Sequence, residues 1–218
     1  MKKRYLFSLL LGSILLASCG KDSTIQDSSE NKMNEKSEDS KTTATMATTS
    51  KSTLHSYDNE HGAFEVFYKK DNLGLVETNE DYGLEVSSIE YGEFSVADAF
   101  DYYPDLENDD GKIGYVKVKI AMSLPSNIDP AQFFFPDQTT LTITDDFPPT
   151  TSDNNFADPV AVNLGEVAAK DGYLFYLLSP AETKALKEAK SVSLTTMAPF
   201  TSKNMEIKEG YHFEVTLE

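Results

Sequence analysis

From Tyr57 onward, apolar residues recur mostly at every second position, the period of a strand with one buried face. The clearest run is Tyr115 to Met122, where Val116, Val118, Ile120 and Met122 share one face and Tyr115, Lys117 and Lys119 the other. It predicts a half-buried strand with the first set in the core and the second in water. The C-terminal run repeats the pattern, with Tyr211, Phe213, Val215 and Leu217 inward and His212, Glu214 and Thr216 outward. Further strand candidates are Phe64 to Lys69, Leu84 to Tyr91, Thr139 to Thr144, Gly172 to Leu178 and Ser191 to Met197. Turn-forming clusters separate them: Asp71-Asn72, Asn108 to Gly111, Asp145 to Pro149, Ser152 to Asn155 and Lys208 to Gly210. Several short strands at this spacing favour an antiparallel sandwich or barrel. One segment breaks the period. Ser179-Pro180-Ala181-Glu182 has the form of a capping box with Pro at the first helical position, and Thr183 to Lys190 continues it with good helix formers. A helix of two to three turns is expected there, and Ser95 to Tyr103 is a second short candidate.

The first 56 residues read differently. Lys2, Lys3 and Arg4 precede an apolar run from Tyr5 to Leu16, interrupted only by Ser8, Gly12 and Ser13. That is the layout of an export signal, and it is short of the roughly 20 apolar residues a spanning helix needs. Gly20 to Ser56 contains no aromatic residue and no Pro, and Ser and Thr make up 15 of its 37 residues. Such a tract cannot bury enough apolar area to offset its ordering entropy, so a disordered linker is expected, with an end-to-end distance of roughly 30–37 Å. Chain organisation is therefore expected as a signal peptide over 1–18, a linker over 19–56 and a folded domain over 57–218.

Charge narrows the partners. The chain carries 19 Lys and Arg against 36 Asp and Glu, a formal net of -17. A surface this acidic repels phosphate backbones and anionic headgroups, which argues against nucleic acid and direct membrane-surface binding. One cysteine forms no internal disulfide, and three histidines leave little for a transition-metal site.

That cysteine closes the apolar run in Leu16-Ala17-Ser18-Cys19. The four residues resemble the lipobox of bacterial lipoproteins. The resemblance implies a diacylglyceryl group on the Cys19 thiol and cleavage before it by signal peptidase II. It also implies palmitate-type acylation, and hence anchoring in the lipid bilayer at the extracellular face of the cell membrane. Two acyl chains give firm anchoring where one is marginal.

The domain in turn resembles an immunoglobulin-like domain of unknown function found in Gram-positive lipoproteins behind a lipobox and a polar linker. The resemblance spans roughly residues 80 to 218. Its strands correspond to Leu84 to Tyr91, Tyr115 to Met122, Gly172 to Leu178, Ser191 to Pro199 and Tyr211 to Glu218. An acidic loop falls at Tyr102 to Gly111, and Phe135-Pro136-Asp137-Gln138-Thr139-Thr140-Leu141 leads into another strand. The fold implied is mainly β, an antiparallel immunoglobulin-like β-sandwich with one or two short helices. The family brings no catalytic residues to carry over.

Catalytic motifs are not found: there is no phosphate-cradling glycine loop and no Gly-x-Ser-x-Gly turn. Neither a catalytic residue nor a cofactor is therefore assigned, and the chain is read as non-enzymatic. His55 and His61 flank the linker boundary and His212 lies on an outer strand face; all three read as solvated surface residues, and no metal is assigned. Asp101, Asp105, Glu107, Asp109 and Asp110 crowd one loop and Asp145-Asp146 another. Oxygen-rich loops suit calcium, yet the EF-hand register fails, because Gly111 as the sixth position puts Leu106 first. A solvated turn is the reading kept. In Phe133-Phe134-Phe135 alternate rings must face opposite ways, which leaves either an exposed patch for a partner or a surplus ring under a neighbouring loop.

The function expected is a membrane-anchored extracellular binding or interaction module with an unidentified protein or cell-wall ligand. A cell-wall-associated hydrolase with an unrecognised carboxylate site is the alternative. A further one is a pheromone cut from the apolar signal, Leu6 to Gly12 or Ile14 to Ser18.

Overall fold

The computed structural model describes residues 53–97, 103–203 and 209–218. The expected signal peptide, the lipobox residues Leu16 to Cys19 and nearly all of the linker lie outside them. Within them the protein is mainly β, antiparallel and sandwich-like, with one α-helix.

The first sheet has five strands: β1 (His55–Asn59), β2 (Gly62–Asn79), β3 (Tyr82–Val96), β4 (Ile113–Ser123) and, after an excursion through the second sheet, β10 (Asp171–Leu178). They lie in the order β1-β2-β3-β4-β10. β1 begins two residues before the expected domain start, its Tyr57 opposite Phe64. The hairpin of β2 and β3 is longer than expected. Asp71-Asn72 does carry a turn conformation, with positive φ at Asn72 (59°) and Gly74 (60°), but the chain does not reverse there. The pairing slips between Asp71 and Leu75 and then resumes, so the turn signal produces a bulge inside one bent strand. β3 also runs through Val96, so Ser95 and Val96 are strand; the rest of the second helix candidate, 98–102, lies outside the described residues.

The second sheet contains β6 (Thr140–Thr142), β7 (Thr150–Thr151), β11 (Ser191–Met197) and β13 (Glu209–Thr216), in the order β13-β11-β6-β7. Two small two-stranded sheets complete the strands. β5 (Gln132–Phe133) joins β12 (Phe200–Thr201), and β8 (Ala161–Asn163) joins β9 (Glu166–Ala169). The β8–β9 loop is Leu164-Gly165, both at positive φ (50° and 77°), as a two-residue hairpin loop of the favoured twist requires.

Between the sheets lies one continuous core. Leu84, Val86, Ile89, Val116, Val118 and Ile120 from the first sheet meet Leu141, Leu194, Tyr211, Phe213 and Val215 from the second. The parity read for β4 and β13 is the parity observed: Val116, Val118, Ile120 and Met122 are at most 7% exposed, while Lys119 faces solvent. The predicted helix is α1 (Pro180–Glu188), with both capping-box hydrogen bonds formed between Ser179 and Glu182. It packs Leu186 into the core and lays Thr183 over Gly114, where a Cβ would collide with the threonine hydroxyl. Lys187 fixes the last turn through Glu93 at 2.7 Å and by lying over the Phe67 ring.

Candidate functional site

The outer face of the five-stranded sheet, turned away from the sandwich core, is divided in two. At one end Phe64, Phe94, Ile113, Tyr115, Phe175 and Leu177 are buried, none more than 8% exposed. They are covered by the segment 152–158, whose backbone bonds along the free edge of β10. The Asp153 amide donates to the Phe175 carbonyl at 2.7 Å, and the Asp158 amide to the Tyr173 carbonyl at 2.8 Å. In return the Tyr173 amide donates to the Asp158 carboxylate. Phe156 inserts over Phe175 at 5.2 Å between centroids. From across the face, the Tyr103 hydroxyl holds the same segment by donating to Asp153 at 3.0 Å.

Two strand positions further along, the face is open. His55, Tyr57, Lys69, Asp71, Ser88, Glu90, Lys117, Lys119 and Tyr173 line a depression of about 450 Å³. Strand pairing sets this collection: Glu90 lies opposite Lys117 and Lys69, Ser88 opposite Lys119 and Asp71, and Lys119 opposite Tyr173. The bulge after Val66 in β2 makes the set possible. It shifts that strand's parity, so that Phe64 and then Lys69 and Asp71 all face outward.

Glu90 stands at the boundary of the two halves and is only 9% exposed. The hydroxyls of Tyr57 and Tyr115 both donate to its Oε1 at 2.9 Å, and Lys69 Nζ is 4.0 Å from its Oε2. Burial first, and the Glu90 charge second, push both phenols well above the ordinary tyrosine range. They therefore remain protonated donors at neutral pH and keep Glu90 an acceptor. Lys117 lies 4.3 Å from the centroid of the Tyr173 ring. Among the described residues neither Lys117 nor Lys119 forms an ion pair, whereas Lys112 and Lys187 are paired to Glu65 and Glu93.

An aromatic ladder joins the halves. His55 stacks on Tyr57, Tyr57 on Phe64 at 4.9 Å and Phe64 on Phe94 at 4.8 Å. The open half is thus built on a packed foundation.

The residues singled out from the sequence are scattered. Tyr115, expected in water with Lys117 and Lys119, is 0% exposed, because alternation cannot reveal that a distant loop covers part of an outer face. His61 is not a solvated histidine either; it packs edge-on against Phe156 at 5.1 Å. His55 lines the depression, and His212 is exposed beside the Thr195 hydroxyl at 3.1 Å. The acidic loop is organised by Asn108, whose side chain accepts from the amides of Asp110 and Lys112. Asp105, Glu107, Asp109 and Asp110 face solvent, as do Asp145 and Asp146, and Asp101 lies outside the described residues. Among the described residues, no three His, Cys, Asp or Glu side chains converge as metal ligands would. Phe134 is buried, and Phe133 and Phe135 are half-buried against Phe200 of β12 at 5.2 and 6.1 Å.

The sequence had marked Lys117 and Lys119 only as outward-facing. The available signal was their position: two lysines on the outer face of a core strand, rather than on a loop or an edge.

No family model matches the chain, and no curated protein matches it. Among solved structures it is similar to a functionally unknown protein from Listeria monocytogenes EGD-e. That similarity has 12% identity and a TM-score of 0.43, and it covers 71% of this chain and 87% of that one.

Proposed function

We propose that this protein is a lipid-anchored, non-enzymatic binding module, held at the outer face of the cell membrane through Cys19, whose ligand seats on the open half of the five-stranded sheet. The observation that carries the binding reading is the division of that face. One half is sealed by aromatic packing, while its continuation is a depression lined by three lysines, a serine hydroxyl, two carboxylates and tyrosine rings. Positive and negative groups beside aromatic rings in one concave surface suit ligand recognition. Support for the anchor comes from Leu16-Ala17-Ser18-Cys19 after a charged and then apolar start. Within the depression, Glu90 Oε1 accepts from the Tyr57 and Tyr115 hydroxyls, which fixes the orientation of the carboxylate as a binding group needs.

Two experiments test the two parts. Metabolic labelling with a fatty acid should tag the wild-type chain and not Cys19→Ser; labelling of the mutant contradicts the anchor. On arrays of glycans and peptides, ligands bound by the full chain should be lost by Lys117→Glu/Lys119→Glu. Retention by that variant, or no bound ligand at all, contradicts the binding reading.

A further inference from the structure

The chemistry of the depression also limits what it can hold. We infer that the open half of the sheet binds an acidic saccharide, with a single carboxylate or phosphate on Lys117 and Lys119, a sugar ring against Tyr173, and sugar hydroxyls donating to Glu90 and Asp71. The inference rests on the binding-module reading above and names its ligand class.

Charge gives the first part. Three lysines line the depression against two carboxylates, a local excess of positive charge on a chain of net -17. Lys69 is engaged with Asp71 at 3.8 Å and Glu90 at 4.0 Å, so the lysines of the depression that form no ion pair among the described residues are Lys117 and Lys119. They are two residues apart on one strand face, about 7 Å by strand geometry, a span that one acid group can bridge. The surrounding acidic surface repels anions elsewhere, which directs an acid group to these lysines.

Glu90 and Asp71 give the second part. Both line the depression, and Glu90 Oε2 and the Asp71 carboxylate accept from neither phenol; an anion cannot satisfy these oxygens. A ligand that fits must bring uncharged donors close to its acid group, and saccharide hydroxyls do so.

The sheet gives the third. The depression lies on the face, where backbone groups are already paired between β2, β3, β4 and β10. A peptide cannot add as a strand there, so recognition falls to side chains and to the Tyr173 ring.

The test is calorimetric titration of the full chain in detergent with four probes: a glucuronate tetramer, glucose 6-phosphate, a neutral glucose tetramer and a glutamate tetramer. At least one of the first two should bind at least about tenfold more tightly than the other two probes, and the one that binds identifies carboxylate or phosphate as the acid. Binding should weaken as salt rises. Lys117→Gln/Lys119→Gln should weaken it about tenfold or more, while Lys184→Gln/Lys190→Gln, the same charge change at exposed sites, should not. Unchanged urea midpoints in both variants establish that folding is intact. Equal binding of the neutral tetramer, equal binding of the glutamate tetramer, indifference to the lysine pair, or no binding of either acidic saccharide overturns the ligand class. If array ligands are still lost by the glutamate variant, the module reading survives that failure.

Discussion

On β4, Ile113 and Tyr115 face outward by the same parity as Lys117 and Lys119, yet the first pair is buried while Lys117 is half-buried and Lys119 exposed. β10 repeats the contrast, with Phe175 and Leu177 buried and Tyr173 36% exposed. Strand geometry treats these positions alike. The difference comes from 152–158, which lies over one end of the sheet and makes it a second small core, leaving the other end for polar side chains. A sheet face is thus assigned to core or to surface by what covers it, and one strand can serve both.

Substitutions can break that comparison at graded cost. The largest effect belongs to the inner face, which supports both halves. Val118→Asp buries an unpaired carboxylate and should cost several kcal/mol, of the order of the whole domain's stability, seen as loss of a cooperative urea transition. Next is the sealed half: Phe175→Ala should cost about 3–5 kcal/mol, since its ring packs against Tyr115, Phe94 and Phe156.

Alkaline pH acts through the buried phenols. Burial raises Tyr211 to about 12, and burial raises Tyr57, Tyr115 and Tyr176 further above the ordinary value near 10. Between those limits the unfolded chain releases protons that the folded chain retains, so stability falls as pH rises. Each phenol contributes a loss of about 1.4 kcal/mol per pH unit in its own window. Urea midpoints should be flat up to about pH 9 and drop at pH 11, with Tyr176→Phe showing a shallower drop. The smallest effects belong to the open half. Lys119→Asp and Tyr173→Ala should each cost less than about 1 kcal/mol. A loss at Tyr173 equal to that at Phe175 would erase the distinction.

Much of this fold was legible where local signals agree with tertiary placement. The β4 alternation, the β13 alternation and the Ser179–Glu182 capping box each specify one geometry by chemistry within a few residues. What escaped depends on distant chain. Asp71-Asn72 carries a real turn signal, but pairing with β3 resumes beyond it and makes a bulge of it. The polar letters of His55 and Ser56 read as linker, although they open an edge strand whose Tyr57 stacks on Phe64. The candidate site was only partly visible for the same reason: outward lysines are ordinary on any strand. Their meaning appears only when β2, β3 and β10 bring Lys69, Glu90 and Tyr173 alongside.

The central claim is that one half of the outer face is sealed and the other receives a ligand. Hydroxyl-radical footprinting of the full chain, with and without the glucuronate tetramer and glucose 6-phosphate, tests it directly. Without saccharide, Tyr173 should oxidise readily while Tyr115 and Phe175 stay protected. With one of the two saccharides bound, protection should appear at Tyr173 and leave the surface outside the depression unchanged. Oxidation of Tyr115 at the rate of Tyr173, or protection confined to residues outside the depression, would contradict the account.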